Sequence, residues 1–303
     1  MATCSHDRSH FFKYATFETA RRVIESKSFR WSSPVKFNDP FDHQSGFVLK
    51  FQPEEFARLL FESTERLIFS QTIPALTPDS LLSQMILALR TLRERLPRAK
   101  FLEQMRKGCD ETARRICAEG IPKLNAEVQA VLCHSRVFCV SELHDNVVMW
   151  SHYADEHRGV VFKLRCLDQI DNALLAARKV NYTQSFLAFP DAEKYVRHLT
   201  GEERFDYAPL CMNIAFAKHA DWAYEREWRV HLQLVGELPG DGHSIYKEDP
   251  RVFEEIYLGC RMEEGEVDEM VGFVRQHLPT MKVFQARKSA TAFSLEFRET
   301  PLS

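Results

Sequence analysis

The sequence predicts an α+β fold: a split mixed or antiparallel β-sheet core, flanking helices and a helical insertion. Three observations carry that expectation. Short strand-like runs recur along the 303 residues without strict βαβ alternation. The stretch 53–132 changes to helical periodicity rich in Ala, Leu, Arg and Glu. Phe is abundant at 23 residues, which suggests a core built on aromatic packing.

The elements follow in order. Residues 10–15 read as a short aromatic strand, and Thr16 is placed to cap a helix over 17–26 with Ala20, Val23 and Ile24 on one face. Residues 29–33 alternate like a half-buried strand that Pro34 stops. Asn38-Asp39-Pro40 makes a turn, and 46–51 reads as another strand. Helical periodicity marks 53–71, 78–96, 99–118 and 121–132, read as an insertion or subdomain within a single domain spanning 1–303. Strand signals return at 136–141, 160–164 and 179–182. Helices are expected at 145–156, 167–177, 189–200 and 203–217. A strand at 227–235, a Gly/Pro-rich turn at 236–242, a strand at 254–258, a helix at 263–278 and strands at 281–287 and 291–298 complete the chain.

Composition narrows the function. The apolar fraction of 45% and charged fraction of 27% are those of an ordinary globular protein, and the net charge of -3 gives no general pull toward nucleic acid or anionic membrane. No stretch approaches the roughly 20 apolar residues that span a bilayer, and the N-terminus lacks the apolar core of a secretory signal. Eight cysteines without a Cys-x-x-Cys pair suggest reduced, buried thiols and a cytoplasmic setting. Phosphate-loop, dinucleotide-fold and nucleophile-elbow motifs are absent, which disfavours P-loop NTPases, Rossmann dehydrogenases and typical α/β-hydrolases.

Chemistry is concentrated in three clusters: Phe37-Asn38-Asp39-Pro40-Phe41-Asp42, Met149 through Gly159, and Trp222 through Arg229. Polar groups packed among large aromatics must pair with each other or with a ligand, because burying them unpaired costs several kcal/mol. Three such clusters most simply converge on one site. On a strand from 227, Glu227, Arg229 and His231 share one face, opposite Trp228, Val230 and Leu232. The carboxylate of Glu227 is therefore either catalytic or one half of a Glu–Arg pair on a solvated face. Lys218, Trp222, Tyr224 and Glu225 crowd the approach to it. His152 and His157 are offset by about 140° on a helix, so they make a poor metal pair, whereas His152 shares a face with Asp155 or Glu156. Gly159 fits the end of that helix. Cys133, His134 and Cys139 lack a second pair at zinc-like spacing.

These residues resemble, in order, the hallmarks of the bacterial family called domain of unknown function 2971. They are Phe12-Lys13-Tyr14, the Asn-Asp-Pro cluster, Phe138 to Ser141, Met149 to Ala154, His157-Arg158-Gly159, Lys179 to Tyr182, and Lys218 through Arg229. The opening is also similar to that of small ADP-ribosyltransferases, including DNA-modifying toxins. Those enzymes carry His or Arg on the first strand, Ser, Thr or Tyr on the second, and Glu on a later strand. Position by position, Lys13, Ser32 or Ser33, and Glu227 take these places. Lys13 departs from the pattern as a flexible point charge for a ribose hydroxyl or phosphate.

The resemblance implies an enzyme that uses NAD to modify a macromolecular target, protein or nucleic acid, in a toxin or phage-defence setting. Glu227 would be the catalytic carboxylate. Lys13, Tyr14 and Ser33 would contact the nucleotide, and Asn38, Asp42, Trp150, His152 and Arg229 would support it. Tyr14, Trp31 or Trp150 would stack an aromatic ring of NAD. No metal is expected. One rival is a metal-dependent nuclease or hydrolase using Asp39, Asp42, His152, Asp155 and His157. The other is a non-catalytic nucleotide-sensing module.

Overall fold

A ten-stranded sheet dominates the computed structural model, which describes residues 6–43, 46–72, 75–170, 172–236 and 240–301. The chain divides into two compact units. One gathers 1–43, 132–184 and 215–303; the other gathers 44–131 and 185–214. With nine α-helices among the described residues and a sheet of mixed direction, the fold is α+β, as the sequence predicts.

The large sheet belongs to the first unit. Numbered in chain order, its strands are β1 (His10–Ala15), β2 (Ser28–Ser32), β4 (Ser135–Ser141), β5 (Val160–Arg165), β6 (Arg178–Lys179) and β10 (Glu227–Gln233), followed by β11 (His243–Lys247), β12 (Phe253–Leu258), β13 (Lys282–Lys288) and β14 (Leu295–Thr300). They run in the order β11-β2-β4-β1-β5-β12-β13-β14, with β10 on β4 and β6 on β10. Only β12 and β13 pair in parallel within this sheet. Helix α9 (Glu264–His277) provides the crossover that parallel neighbours need. A small parallel ribbon pairs β7 (Asn181–Thr183) with β9 (Ala217–His219).

The sheet splits at β4. Along one edge β10 pairs with it from Glu227↔Ser141 to Gln233↔Ser135. On the opposite edge it meets β1 only at Phe12↔Ser141 and β2 only at Ser32↔Val137. Cys139 lies in the gap between those bridges, and the Lys13 ammonium donates to its carbonyl at 2.7 Å. A side chain thus satisfies a backbone acceptor that a neighbouring strand would otherwise take.

Both faces are apolar. On one, helix α1 (Phe17–Ser26), capped by Thr16 and buried through Ala20, Val23 and Ile24, and α9 cover Phe11, Phe29, Trp31, Phe138, Phe162 and Phe253. Trp31 stacks on Phe138 at 5.5 Å and Phe29 on Phe253 at 5.6 Å. On the other, α6 (Val147–Tyr153) brings Met149 and Trp150 onto Phe12, Tyr14, Val161 and Tyr257. The alternation of Phe11 and Phe12 between the two cores is the period of a strand.

The second unit is helical: α2 (Pro53–Phe69), α3 (Leu81–Leu92), α4 (Arg98–Arg115), α5 (Ile121–Cys133), α7 (Ala192–Thr200) and α8 (Ala208–Ala215), with a two-strand pair of β3 (Phe47–Val48) and β8 (Leu187–Ala188). Phe56, Leu60, Phe61, Ala113 and Val196 form its core, with Leu67, Ile68 and Ile86 a smaller cluster.

Several expected elements are shorter. The helix over 145–156 stops at Tyr153, and Asp155, Glu156 and His157 take left-handed φ of 46°, 50° and 70°. His152 therefore shares no helix face with Asp155 or Glu156. Gly159 is not a helix end; it stands before β5, where a Cβ would meet the Ala15 carbonyl at 2.2 Å. The helix over 167–177 is a single 3-10 turn at Ala173–Ala176, because Asn172 turns its side chain onto the Leu174 amide. The strand over 46–51 is two residues long. That over 179–182 is interrupted at Val180, whose amide donates to Glu227 O. Strand β11 follows the Gly/Pro-rich turn, of which 237–239 lie outside the described residues. Its exposed Ile245 gives no burial pattern to read. Cys4 also lies outside them. Of the seven other cysteines Cys109 is buried and the rest are half-buried.

Candidate functional site

A cavity of about 170 Å³ opens at the split of the sheet, where β1, β4, α6 and the start of β10 meet. Its chemistry begins at Arg226. The chain leaves a 3-10 turn, Ala220–Glu225, through Arg226 in the left-handed conformation (φ 43°), and β10 starts at the next residue. That reversal sends the carboxylates of Glu225 and Glu227 into the same cavity, 3% and 5% exposed. Two buried acids this close must differ in charge state or share cations.

They share cations. The Lys218 ammonium donates to Glu225 Oε2 and, at 2.9 Å, to Glu227 Oε2. Arg229, fully buried, donates from Nε to Glu227 Oε1 at 2.7 Å and from a terminal nitrogen to Oε2 at 3.0 Å. Its two terminal nitrogens also grip Asp42 at 2.8 and 2.6 Å, and one reaches the Ala215 carbonyl at 3.0 Å. Asp42 also pairs with His43 Nδ1 at 2.9 Å. Tyr182 places its hydroxyl oxygen on the Glu227 amide at 2.8 Å, and Tyr153 donates to Glu225 Oε1 at 2.6 Å.

The two glutamates titrate in opposite directions. Burial alone would raise Glu227, but the Arg229 and Lys218 charges outweigh it and hold the carboxyl far below the usual range. Glu225 is pushed up by burial, reinforced by the charge of Glu227, with Lys218 only a partial offset. Lys218 is shared between the two glutamates and lies 3.9 Å from Asp42, whereas the carboxylates that Arg229 grips are Glu227 and Asp42. Lys218 itself is raised: burial works against its charge, but Glu227 and Glu225 prevail. Lys13, half-buried, is lowered by desolvation. Burial likewise lowers His43, which favours its neutral form.

The sequence-predicted residues divide into three groups. Glu227, Lys13, Tyr14, Asn38 and Asp42 line the cavity, and Arg229 locks two of its carboxylates from behind. Tyr14 is also tied down, its hydroxyl donating to the Leu143 carbonyl at 3.0 Å. Ser33, Trp150 and His152 are not among the lining residues. Ser33 is buried and donates to the Cys133 carbonyl at 3.0 Å; Trp150 is a core group whose indole donates to the His144 carbonyl at 2.7 Å. His152 is exposed and meets the Tyr224 hydroxyl at 3.3 Å. Trp31 is buried in the core against Phe138.

Among the described residues no group of three His, Cys, Asp or Glu has the geometry to hold a metal ion. Asp39 closes its own turn on the Phe41 amide, and Asp42 is committed to Arg229. Lys218, Glu225, Tyr153, Tyr182 and Cys139 complete the site without having been singled out as its members. The signals for them in the sequence were the crowding of Lys218 and Glu225 before β10 and the place of all five within the family-like runs.

Residues 149–230 match the model of a family described as a protein of unknown function, DUF2971. This stretch is similar to DUF2971. It carries Tyr153, Tyr182, Lys218, Glu225, Glu227 and Arg229, while Lys13, Asp42, His43 and Cys139 fall outside it. No curated protein and no solved structure matches the chain. The chemistry of the network itself is what points to a function.

Proposed function

We propose that the cavity carries out N-glycosidic bond chemistry on NAD, transferring ADP-ribose to a macromolecular acceptor, protein or nucleic acid. A cytoplasmic toxin or phage-defence setting is part of the same proposal. The observation that carries the reading is the glutamate pair, one acid held ionised and its neighbour pushed up, across one lysine. Environments that drive two titratable groups apart assign them different roles.

Breaking the nicotinamide–ribose bond leaves the electron pair on the nicotinamide nitrogen and positive charge at the ribose anomeric carbon. Glu227, ionised at any ordinary pH, suits the stabilisation of that charge. The acceptor's nucleophile forms the new bond to the anomeric carbon and loses a proton. Glu225 in its ionised form is the better base of the two and takes it. A cavity of about 170 Å³ is smaller than the roughly 300–1,000 Å³ that encloses a drug-sized ligand, so it matches one ring or sugar of NAD. Phe12, Tyr14 and Phe37 give that moiety an aromatic wall, and Lys13 a cationic donor.

The test is incubation with labelled NAD and candidate protein, DNA and RNA targets. Release of nicotinamide with transfer of label is expected, falling about 10²–10⁴-fold in Glu227→Gln and in Glu225→Gln. No NAD consumption and no transfer, or a Glu227→Gln variant as active as the parent, overturns the reading. A pH profile adds a second check. The ionised fraction of Glu225 grows as pH rises through its elevated pKa, so activity should climb on that limb. Tyr153→Phe removes a donor that favours the ionised form and should move the limb to higher pH while the plateau persists.

A nucleotide-binding role without turnover has one observation in its favour. Both oxygens of Glu227 are already engaged by Arg229 and Lys218. Saturable NAD binding without nicotinamide release would select it.

A further inference from the structure

A second cavity, of about 600 Å³, lies in the first unit and shares no lining residue with the first. That volume is within the roughly 300–1,000 Å³ of small-ligand sites. Its lining contains His157, Arg261 and Lys288 but no carboxylate, together with the hydroxyls of the turn between β13 and β14. Phe293 stands at its rim, fully exposed.

The two cations are largely uncommitted. Arg261 has only a 3.4 Å bond to the Glu156 carbonyl and a 3.9 Å approach to its carboxylate. Lys288 makes no ion pair among the described residues. Positive charge gathered in a concave site whose lining holds no carboxylate favours an anion.

The wall behind them is built. Asp155, Glu156 and His157 hold left-handed φ in succession, a conformation that costs non-glycine residues energy and persists only where the surroundings impose it. Here the Arg261 amide donates to the His157 carbonyl at 3.0 Å, and the Gly259 amide to the Gly159 carbonyl at 2.9 Å. A Cβ at Gly259 would sit 2.0 Å from the His157 carbonyl oxygen. Trp150 lies parallel beneath the His157 ring at 6.1 Å.

We propose that this cavity binds a phosphorylated nucleoside, with Arg261 and Lys288 on the phosphate, Phe293 against the base and the hairpin hydroxyls toward the sugar. An aromatic lip beside paired cations and hydroxyls is the complement of that ligand class. The proposal stands apart from the NAD reading of the first cavity.

Calorimetric titration of the full chain with ADP tests it. A saturable site is expected that weakens as salt rises, at least 10-fold in the double variant Arg261→Glu/Lys288→Glu, and several-fold in Phe293→Ala. Release of nicotinamide from NAD should persist at the parent's level in Arg261→Glu/Lys288→Glu, which separates failure here from failure of the first site. All three substituted side chains are exposed, and far-UV dichroism checks that the variants fold; Phe293→Ala alone decides the matter if the double variant does not. Absence of saturable ADP binding, ADP binding indifferent to both variants, or inorganic pyrophosphate bound as tightly as ADP overturns the assignment.

Discussion

Arg229 is the residue on which the site depends. Its guanidinium is out of water, yet each nitrogen finds an acceptor, on Glu227, Asp42 and the Ala215 carbonyl. Breaking a buried pair by removing one partner costs about 3–5 kcal/mol, because the orphaned charge stays buried. Arg229→Met leaves two carboxylates with Lys218 as the nearest remaining cation, so urea denaturation should show a loss of that size. Arg229→Lys keeps the charge but lacks the planar fork that grips two carboxylates at once, and should fall between Met and the parent. Alternation along β10 was readable in the sequence, and with it the shared face of Glu227 and Arg229. That the face is buried rather than solvated was not readable. The residue that decides it, Asp42, is 187 positions away.

At the scale of elements, punctuation was legible at one helix start. Thr16 caps α1 where the sequence placed it, whereas Asn146, which accepts from the Val148 and Met149 amides at the head of α6, was not singled out. The end of α6 was not legible, because it is set by what β5 and the turn after β12 demand of residues 155–159. Gly159 and Gly259 are there for close approach, their missing side chains leaving room for carbonyl oxygens. Gly259→Ala should therefore cost about 1–3 kcal/mol or more, as overpacking does. Gly272 offers the opposite case: it lies inside α9 with open space where a Cβ would stand. Gly272→Ala should stabilise by up to about 1 kcal/mol through helix propensity. Thermal melting of both variants checks the opposed signs.

At the scale of the molecule, the two units carry separate cores. Phe56, fully buried in the helical unit, stacks on Phe51 at 5.3 Å and Tyr195 at 5.5 Å. Phe56→Ala should cost about 3–5 kcal/mol in that unit. Hydrogen exchange is the measurement: amides of α2, α4 and α7 should lose protection while those of β1, β4 and β10 keep theirs. The helical character of 53–132 came from periodicity. The membership of 185–214 in the same unit did not, since nothing local to that segment names its partners.

Sequence alone determined the α+β class, the Thr16 cap and strand alternation, the three chemical clusters and the DUF2971 likeness, because each is written in adjacent residues. Tertiary structure decided which polar groups are buried together. It moved Ser33, Trp150 and His152 out of the cavity, and brought Lys218, Glu225 and Tyr153 into it. The physical reason is that charge state and ligand contact depend on desolvation and on partners far along the chain. Those are set only when β1, β4 and β10 meet at the split of the sheet.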